Sequence, residues 1–180
     1  MYRFVCVSAA AVVVLASSAS AQQQAVPPAA PTIGASGGLG VGIAVPIARA
    51  SDNHTAGYVI AGLVDFSAAD QPFSFRFEAV HQRYDKKTNA PAGTENLNIT
   101  SLGASLMSRH PERGASTFVL GGIAVYHMSD HLGTKPGVNG GVGIEVPLTQ
   151  FIGLADVRIH YVLTDGKPIM TIPVTLGVRF

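Results

Sequence analysis

The last segment of the chain alternates strictly between large apolar residues and small or polar ones. Counting back from Phe180, every second residue as far as Met170 is large and apolar. The positions between them hold Arg179, Gly177, Thr175, Pro173 and Thr171. A period of two residues predicts a β-strand that presents one apolar face and one polar face.

Seven earlier segments alternate in the same way, so the sequence predicts eight strands. They cover residues 38–50, 57–68, 73–85, 97–109, 117–129, 137–148, 151–164 and 168–180. Turn-forming residues separate them at 51–53, 70–72, 86–96, 110–114, 130–136, 149–150 and 165–167. Each predicted strand exceeds the roughly 9–11 residues that a tilted strand needs to cross a membrane. An even strand count is typical of bacterial barrels formed by a single chain.

Composition favours a membrane barrel over the alternative, a secreted soluble barrel or sandwich. Charged residues make up 13 % of the chain, about half the usual share in a soluble domain. After the first 21 residues, no apolar run is long and regular enough for a spanning helix. A closed barrel can still lie in a bilayer, because closure satisfies every backbone hydrogen-bonding group. The predicted fold is therefore an all-β, eight-stranded, antiparallel up-and-down transmembrane barrel.

The first residues resemble an export signal. Arg3 precedes an apolar run over residues 4–16, and the small residues Ala19, Ser20 and Ala21 fit a cleavage site. The alternative is an uncleaved N-terminal anchor. We predict a signal peptide at 1–21, a flexible periplasmic leader rich in Gln, Pro and Ala at 22–36, and the barrel at 37–180. Cys6, the single cysteine, leaves with the signal peptide, so we expect neither disulfides nor thiolate metal sites.

The charge of the exported chain is balanced. Arg3 is the one charged residue in the signal peptide, and its removal leaves equal numbers of basic and acidic residues. Without a basic excess, we expect no nucleic-acid partner.

The aromatic residues sort by strand end, as in the girdles of membrane barrels. Threading from a periplasmic N-terminus places the tyrosines of the exported chain near the extracellular ends: Tyr58, Tyr84, Tyr126 and Tyr161. The phenylalanines near the periplasmic ends are Phe66, Phe73, Phe118, Phe151 and Phe180. The alternation gives Tyr84 the wrong face for contact with lipid.

Charged residues recur on the face opposite the apolar one. The predicted inward set comprises the acids Asp65, Glu78, Glu145 and Asp156 and the bases Arg76, Arg158 and Arg179. The interior of an eight-stranded barrel is just wide enough for its side chains. Charges buried there must pair, because an unpaired buried charge is costly. We expect a salt-bridge network that fills the lumen, and the alternative is a path for protons or ions through the same residues.

These features resemble the small OmpA/OmpX-like outer-membrane β-barrels of Gram-negative bacteria. The resemblance covers about residues 38–180 and rests on the strand count and on the runs GGIAVY at 121–126, NGGVGIEVPL at 139–148 and GVRF at 177–180. It implies a location in the cell outer membrane, with outer-membrane lipid and lipopolysaccharide as neighbours. It also implies that Phe180 is an insertion signal for the barrel-assembly machinery. Members serve as structural anchors, adhesins or narrow porin-like channels.

One short segment could carry chemistry. His127, Ser129 and Asp130 are similar to the His-x-Ser motif of barrel-type lipid A deacylases, and a Ser beside a His base can act as a nucleophile. The family has Asn where this chain has Asp130, and its motif lies nearer the C-terminus. The alternation predicts that His127 and Ser129 face inward, opposite Phe118, Leu120 and Tyr126.

The sequence therefore predicts a structural or loop-mediated surface role, with the lumen filled by side chains. The alternatives are a narrow channel and, less favoured, an outer-leaflet lipid A ester hydrolase. We expect no catalytic residues, no metal site and no cofactor.

Overall fold

The computed structural model describes residues 33–68, 71–112, 114–129 and 132–180, and these form eight strands and one short helix. In chain order the elements are β1 (Ile33–Ala48), α1 (Ala50–Asn53), β2 (Gly57–Ala68), β3 (Phe73–Tyr84), β4 (Leu97–Glu112), β5 (Ala115–Met128), β6 (Gly133–Pro147), β7 (Ile152–Val162) and β8 (Ile169–Arg179). The predicted signal peptide and most of the predicted leader lie outside the described residues. No helix within these ranges is long and apolar enough to cross a membrane.

Each strand pairs antiparallel with its neighbours in sequence, and β1 pairs with β8 to close the barrel. The closure extends one residue beyond β8, since Phe180 and Gly37 exchange two backbone hydrogen bonds of 2.8 and 3.0 Å. Because the strands run up and down, β1 begins and β8 ends at the same end of the barrel. We call this end the Phe180 end, and the opposite end, where α1 lies, the α1 end. The predicted fold class is confirmed.

Most strand boundaries lie within two residues of the predicted ones, and three differ by three residues or more. β1 begins at Ile33, inside the segment predicted as a leader, and β4 continues to Glu112. β6 begins at Gly133, so Pro136 lies within a strand that we expected to start after it. Pro136 lies beside the end of β7, and its carbonyl still accepts a 3.0 Å bond from Leu163 N–H. Only one ladder bond is lost there, which is why the strand tolerates a proline.

The outer face of the barrel is apolar. The outward positions of every strand carry large apolar side chains, and the most exposed include Leu102, Ile123 and Leu176, at 67, 69 and 64 %. Soluble monomers rarely expose apolar patches of more than a few hundred Å². A continuous apolar belt around a closed barrel is instead the surface that a bilayer solvates. The soluble alternative is therefore excluded.

Glycines on the inner face of β6 make room for large side chains from its neighbours. A Cβ on Gly143 would lie 2.3 Å from the ring of Phe118, and one on Gly141 would lie 2.7 Å from Cγ of Arg158. A Cβ on Gly137 would likewise meet the ring of Tyr126 at 2.8 Å. In the run NGGVGIEVPL, Val142, Ile144 and Val146 therefore face lipid, while the inward Gly141 and Gly143 make room for interior side chains.

The first prediction tests the lipid face of β8 and its depth in the bilayer. Leu176→Arg should destabilise the barrel by about 2–4 kcal/mol, the cost of an Arg near the bilayer midplane. Thr134→Arg is the matched control, because Thr134 is also exposed on the outer face but lies at the α1 end. It should cost only about 0–1 kcal/mol, as expected near an interface. Equal costs, measured by urea unfolding in lipid vesicles, would contradict the depth assigned to Leu176.

Candidate functional site: a charged network in the barrel lumen

The pleat of the strands turns every predicted network residue into the barrel. Asp65 lies on β2, Arg76 and Glu78 on β3, Glu145 on β6, Asp156 and Arg158 on β7, and Arg179 on β8. Except for the half-buried Arg179, all of these residues are buried. The structure brings all seven together in two connected groups. One group lies nearer the Phe180 end and is centred on Asp65 and Glu145, and the other is centred on Arg158.

Asp65 and Arg76 form the most buried pair. They are cross-strand neighbours on β2 and β3, and their side chains are 1 and 0 % exposed. The Arg76 guanidinium donates from Nε and Nη2 to the two Asp65 oxygens, at 2.7 and 2.9 Å. Such a bidentate, charge-assisted pair is among the strongest side-chain hydrogen bonds. The other face of Arg76 lies over the Phe118 ring, 5.3 Å from its centroid, which adds a cation–π contact.

Arg109 on β4 belongs to the same group, and the sequence analysis missed it. Its guanidinium donates to Asp65 at 2.8 Å and to Glu145 at 3.1 and 3.3 Å. Its Nη1 also donates to Ser74 Oγ at 2.6 Å. The predicted set held four acids and three bases, so one buried carboxylate had no counter-charge. That imbalance was the available signal, and Arg109 removes it.

Arg179 closes this group from β8. Its Nη2 donates to Glu145 at 2.9 Å, and its Nη1 donates to Ser36 Oγ at 3.3 Å and lies 3.6 Å from Asp65. Arg76, Arg109 and Arg179 thus surround two carboxylates. Because Ser36 lies on β1, the network also spans the β1–β8 closure.

The second group surrounds Arg158. Its Nη1 donates to both carboxylate oxygens of Glu78, and its Nη2 donates to Asp156 at 2.9 Å. Thr175 Oγ1 donates to the other Asp156 oxygen at 2.5 Å. Arg76 Nη1 lies 3.9 Å from Asp156, which connects the two groups. Four carboxylates and four guanidiniums therefore share the lumen, and their formal charges cancel.

A neutral hydrogen-bonded layer lies on the α1 side of Arg158. Gln82 is central to it, because its amide nitrogen contacts His160 Nδ1 at 3.0 Å and its oxygen accepts from Thr171 at 3.1 Å and from the Tyr84 hydroxyl. The Tyr126 ring packs against His160 with centroids 5.6 Å apart. Here the lumen changes from charged to apolar.

Apolar side chains fill the lumen at the α1 end. This apolar plug contains Ala44, Val59, Ala61, Val80, Tyr84, Leu97, Ile99, Ala124, Tyr126, Met128, Val162 and Ile169, with Ala50 of α1 above them. His54, which follows α1, is 7 % exposed and bridges two backbone carbonyls, that of Ala50 at 3.3 Å and that of Glu95 at 3.2 Å. The residues of 49–56 are therefore packed against those of 85–96 over the mouth of the barrel.

Three further hydrogen bonds fix this end. Thr55 N–H donates to the Asp85 carbonyl and Lys87 N–H donates to the Asn53 carbonyl, both at 2.8 Å. Across the rim, Lys135 Nζ donates to the Asp165 carboxylate at 2.5 Å. That hydrogen bond, with the positive charge of Lys135, holds the pKa of the exposed Asp165 below its ordinary value.

The predicted aromatic girdles are partly wrong. Tyr58 and Tyr161 face outward near the α1 end, and Phe66, Phe73, Phe151 and Phe180 are exposed towards the Phe180 end. Tyr84 points inward, as its parity predicts. Tyr126 and Phe118 also point inward, and both are fully buried. They belong to the apolar and charged parts of the lumen, which need large side chains to fill them.

The predicted facing of His127 and Ser129 is also wrong. Phe118, Leu120 and Tyr126 are the inward residues of β5, so His127 and Ser129 face outward and are exposed. The alternation of residues could not show which face of β5 points inward, because one face is apolar towards lipid and the other is apolar towards the lumen.

The hydrogen bonds of these two residues do not form a nucleophile–base pair. His127 Nδ1 contacts Thr134 Oγ1 at 3.0 Å, whereas Ser129 Oγ accepts from the backbone N–H of Asn98 at 3.1 Å. Asp130 of the motif lies outside the described residues. Within the described ranges, no three His, Cys, Asp or Glu side chains are grouped closely enough to hold a metal ion.

Comparison with solved structures identifies the architecture. Neisserial surface protein A (NspA) superposes with a TM-score of 0.60 at 16 % identity, over 82 % of this chain and 97 % of that one. The attachment invasion locus protein Ail of Yersinia pestis gives 0.50 at 14 % identity, over 81 and 98 % of the two chains. No protein-family model matches the sequence. No curated protein matches it with significant similarity either.

Both structures are eight-stranded outer-membrane barrels, and at these identities the likeness is one of fold. The fold and the apolar belt are those of a membrane-embedded barrel, in agreement with the outer-membrane location that the sequence predicts. The chain has the architecture of the small eight-stranded OmpA/OmpX-like outer-membrane β-barrels.

Proposed function

We propose that the protein is a closed, non-conducting outer-membrane barrel that acts through its structure and its extracellular loops. The observation that carries this proposal is the filling of the lumen. Charged pairs occupy it towards the Phe180 end, and the apolar plug occupies it towards the α1 end. The proposal takes the orientation expected from the sequence, with a periplasmic N-terminus. The Phe180 end is then periplasmic and the α1 end is extracellular.

The space left between these layers supports closure. The cavity lined by Val59, Val80, Arg158, His160 and Thr175 has a volume of about 10 Å³. That is about the minimum for one water molecule. A hydrated ion would have to displace the apolar plug and separate buried ion pairs, and both steps are costly. A narrow channel is therefore the less favoured alternative.

The outward facing of His127 and Ser129 bears on the hydrolase alternative. At the α1 end these residues lie where lipid headgroups would be, which suits an outer-leaflet enzyme. However, a serine nucleophile needs a base within hydrogen-bond reach, and the base needs an orienting partner. His127 is oriented by a threonine hydroxyl and Ser129 by a backbone amide. The contacts therefore favour a non-catalytic role.

The extracellular surface offers a preformed platform rather than separate loops. Residues 49–56 and 85–96 are joined by backbone hydrogen bonds and by the His54 ring. The first of these segments lines a cavity of about 150 Å³ through Arg49, Ala50, Asp52, Asn53 and His54, and the apolar residues Leu97, Leu132 and Ile169 complete its wall. Because these segments are already ordered, they lose little conformational entropy when a partner binds. We propose that loop-mediated recognition uses this platform.

The second prediction tests closure and chemistry on one sample. The purified barrel, reconstituted in a planar lipid bilayer, should give no stepwise conductance, and the same preparation should release no fatty acid from lipid A. Its band on an unheated gel should shift on boiling, which reports a folded barrel. Discrete conductance steps from shifted material would favour the channel, and fatty-acid release that Ser129→Ala abolishes would favour the hydrolase.

The third prediction tests the ion pairs that fill the lumen. Arg158→Met should destabilise the barrel by about 3–5 kcal/mol, because it leaves the buried Glu78 carboxylate without its partner. Adding Glu78→Gln should recover part of that loss, since it removes the unpaired charge. The three variants and the wild type form a double-mutant cycle in urea unfolding. Additive losses would show that Arg158 and Glu78 do not interact.

The fourth prediction concerns assembly. Phe180 stands on the lipid face with 64 % exposure, and its backbone pairs with Gly37. If Phe180 is the insertion signal read by the assembly machinery, Phe180→Ala should lower the amount of inserted barrel in cells. The same variant should refold in detergent about as well as the wild type. Phe151→Ala, another exposed phenylalanine near the same end, is the control. Equal yields of the Phe180 and Phe151 variants in cells would remove the signal role.

A further inference from the structure

Polar side chains on the outer face are gathered on one side of the barrel near the α1 end. His81, Thr100, His127 and Thr134 form a single row across β3, β4, β5 and β6, each opposite the next in the strand register. One outward step nearer the Phe180 end, the same strands carry Ala79, Leu102, Val125 and Pro136. The row therefore borders residues of the apolar belt on its Phe180 side.

A second polar row lies one outward step nearer the α1 end. Tyr58 is opposite Arg83, and Arg83 is opposite Asn98. The backbone of Asn98 is in turn hydrogen-bonded to Ser129 through the serine Oγ and its N–H, both at 3.1 Å. We call the two rows together the outer polar patch.

The opposite side of the barrel has no such patch among the described residues. The two outward positions nearest the α1 end are Val45 and Ile47 on β1, and Met170 and Ile172 on β8. On β7 and just beyond it, the corresponding residues are Tyr161 and Leu163. Since a bilayer surrounds both sides equally, a general need for polarity at the interface does not explain the difference. The asymmetry suggests a partner bound on one side.

The patch carries positive charge and hydrogen-bond donors. Arg83 is exposed and forms no ion pair among the described residues. The hydroxyls of Thr100 and Thr134 contact Nδ1 of His81 and His127, each at 3.0 Å. Each imidazole has a second ring nitrogen, Nε2, which donates a hydrogen bond when the ring hydrogen is on it. Among the described residues, Asp85 and Glu95 of the loop between β3 and β4 are the acidic residues nearest the patch in sequence.

We propose that the outer polar patch binds the phosphorylated headgroup of an outer-leaflet lipid. Guanidinium, imidazole N–H and hydroxyl groups are the donors that phosphate oxygens accept. The position fits, because the acyl chains of a lipid bound here would lie on Leu102, Val125 and the belt below. The proposal rests on the proposed function, which places the α1 end in the outer leaflet, and it names a lipid partner for that surface.

The fifth prediction measures this binding with lipid A. Native mass spectrometry of the detergent-solubilised barrel, titrated with lipid A, should show tighter binding than with the same lipid after its phosphates are removed. Arg83→Gln should weaken binding of the phosphorylated lipid by about fivefold, as expected for loss of one cation near an anionic headgroup. His127→Leu should weaken it in the same direction, because it removes a donor.

Two matched controls test whether position matters. Lys167→Gln removes one exposed charge from the loop between β7 and β8, and His110→Leu removes an exposed imidazole near the Phe180 end. Both should bind lipid A as the wild type does. Equal weakening by the controls, equal binding of the dephosphorylated lipid, or full competition by inorganic phosphate would each overturn the proposal. A wild-type barrel that shows no shift on boiling would instead count against the proposed function.

Discussion

The pairing of four carboxylates with four guanidiniums inside a narrow barrel is the constraint on which the structure depends. An eight-stranded barrel has no room to hydrate charges in its lumen, so each must find its counter-charge in protein. The acids come from β2, β3, β6 and β7, and the bases come from β3, β4, β7 and β8. Ser36 of β1 and Phe118 of β5 also contact Arg179 and Arg76. Every strand thus contributes to one network, and six of them, β2, β3, β4, β6, β7 and β8, must hold a register that brings their charges together.

The sequence reveals the faces of a strand only where the lumen is polar. In β7, the inward Asp156, Arg158 and His160 contrast with outward apolar residues, and the alternation assigns both faces correctly. In β5 the inward residues either belong to the apolar plug or, like Phe118, pack against the Arg76 guanidinium, so both faces are apolar. Hydropathy cannot distinguish contact with lipid from contact with a packed interior. For this reason the facing of Phe118, Tyr126 and His127 could not be read from the pattern.

Arg109 was missed for a related reason. The inward face of β4 carries Leu97, Ile99 and Met107, so it does not read as the polar face, and Arg109 stands near the end of the strand. Electrostatic balance is a stronger guide than local pattern here. A closed lumen with four buried acids and three bases is unstable as it stands, and that deficit calls for one more inward base. The sequence therefore indicates that the network needs a fourth buried base, but it does not indicate which strand supplies that base.

The division of the lumen into a charged part and an apolar part has a consequence for where activity can reside. The charges near the Phe180 end each have several partners. At the α1 end, apolar side chains fill the mouth of the barrel, and the segments 49–56 and 85–96 are hydrogen-bonded to each other above them. Neither part leaves space for a ligand to enter. What remains chemically available is the loop platform and the asymmetric outer polar patch. Because the interior side chains are occupied in ion pairs and packing between strands, the structure favours a function at the outer surface, in contact with lipid.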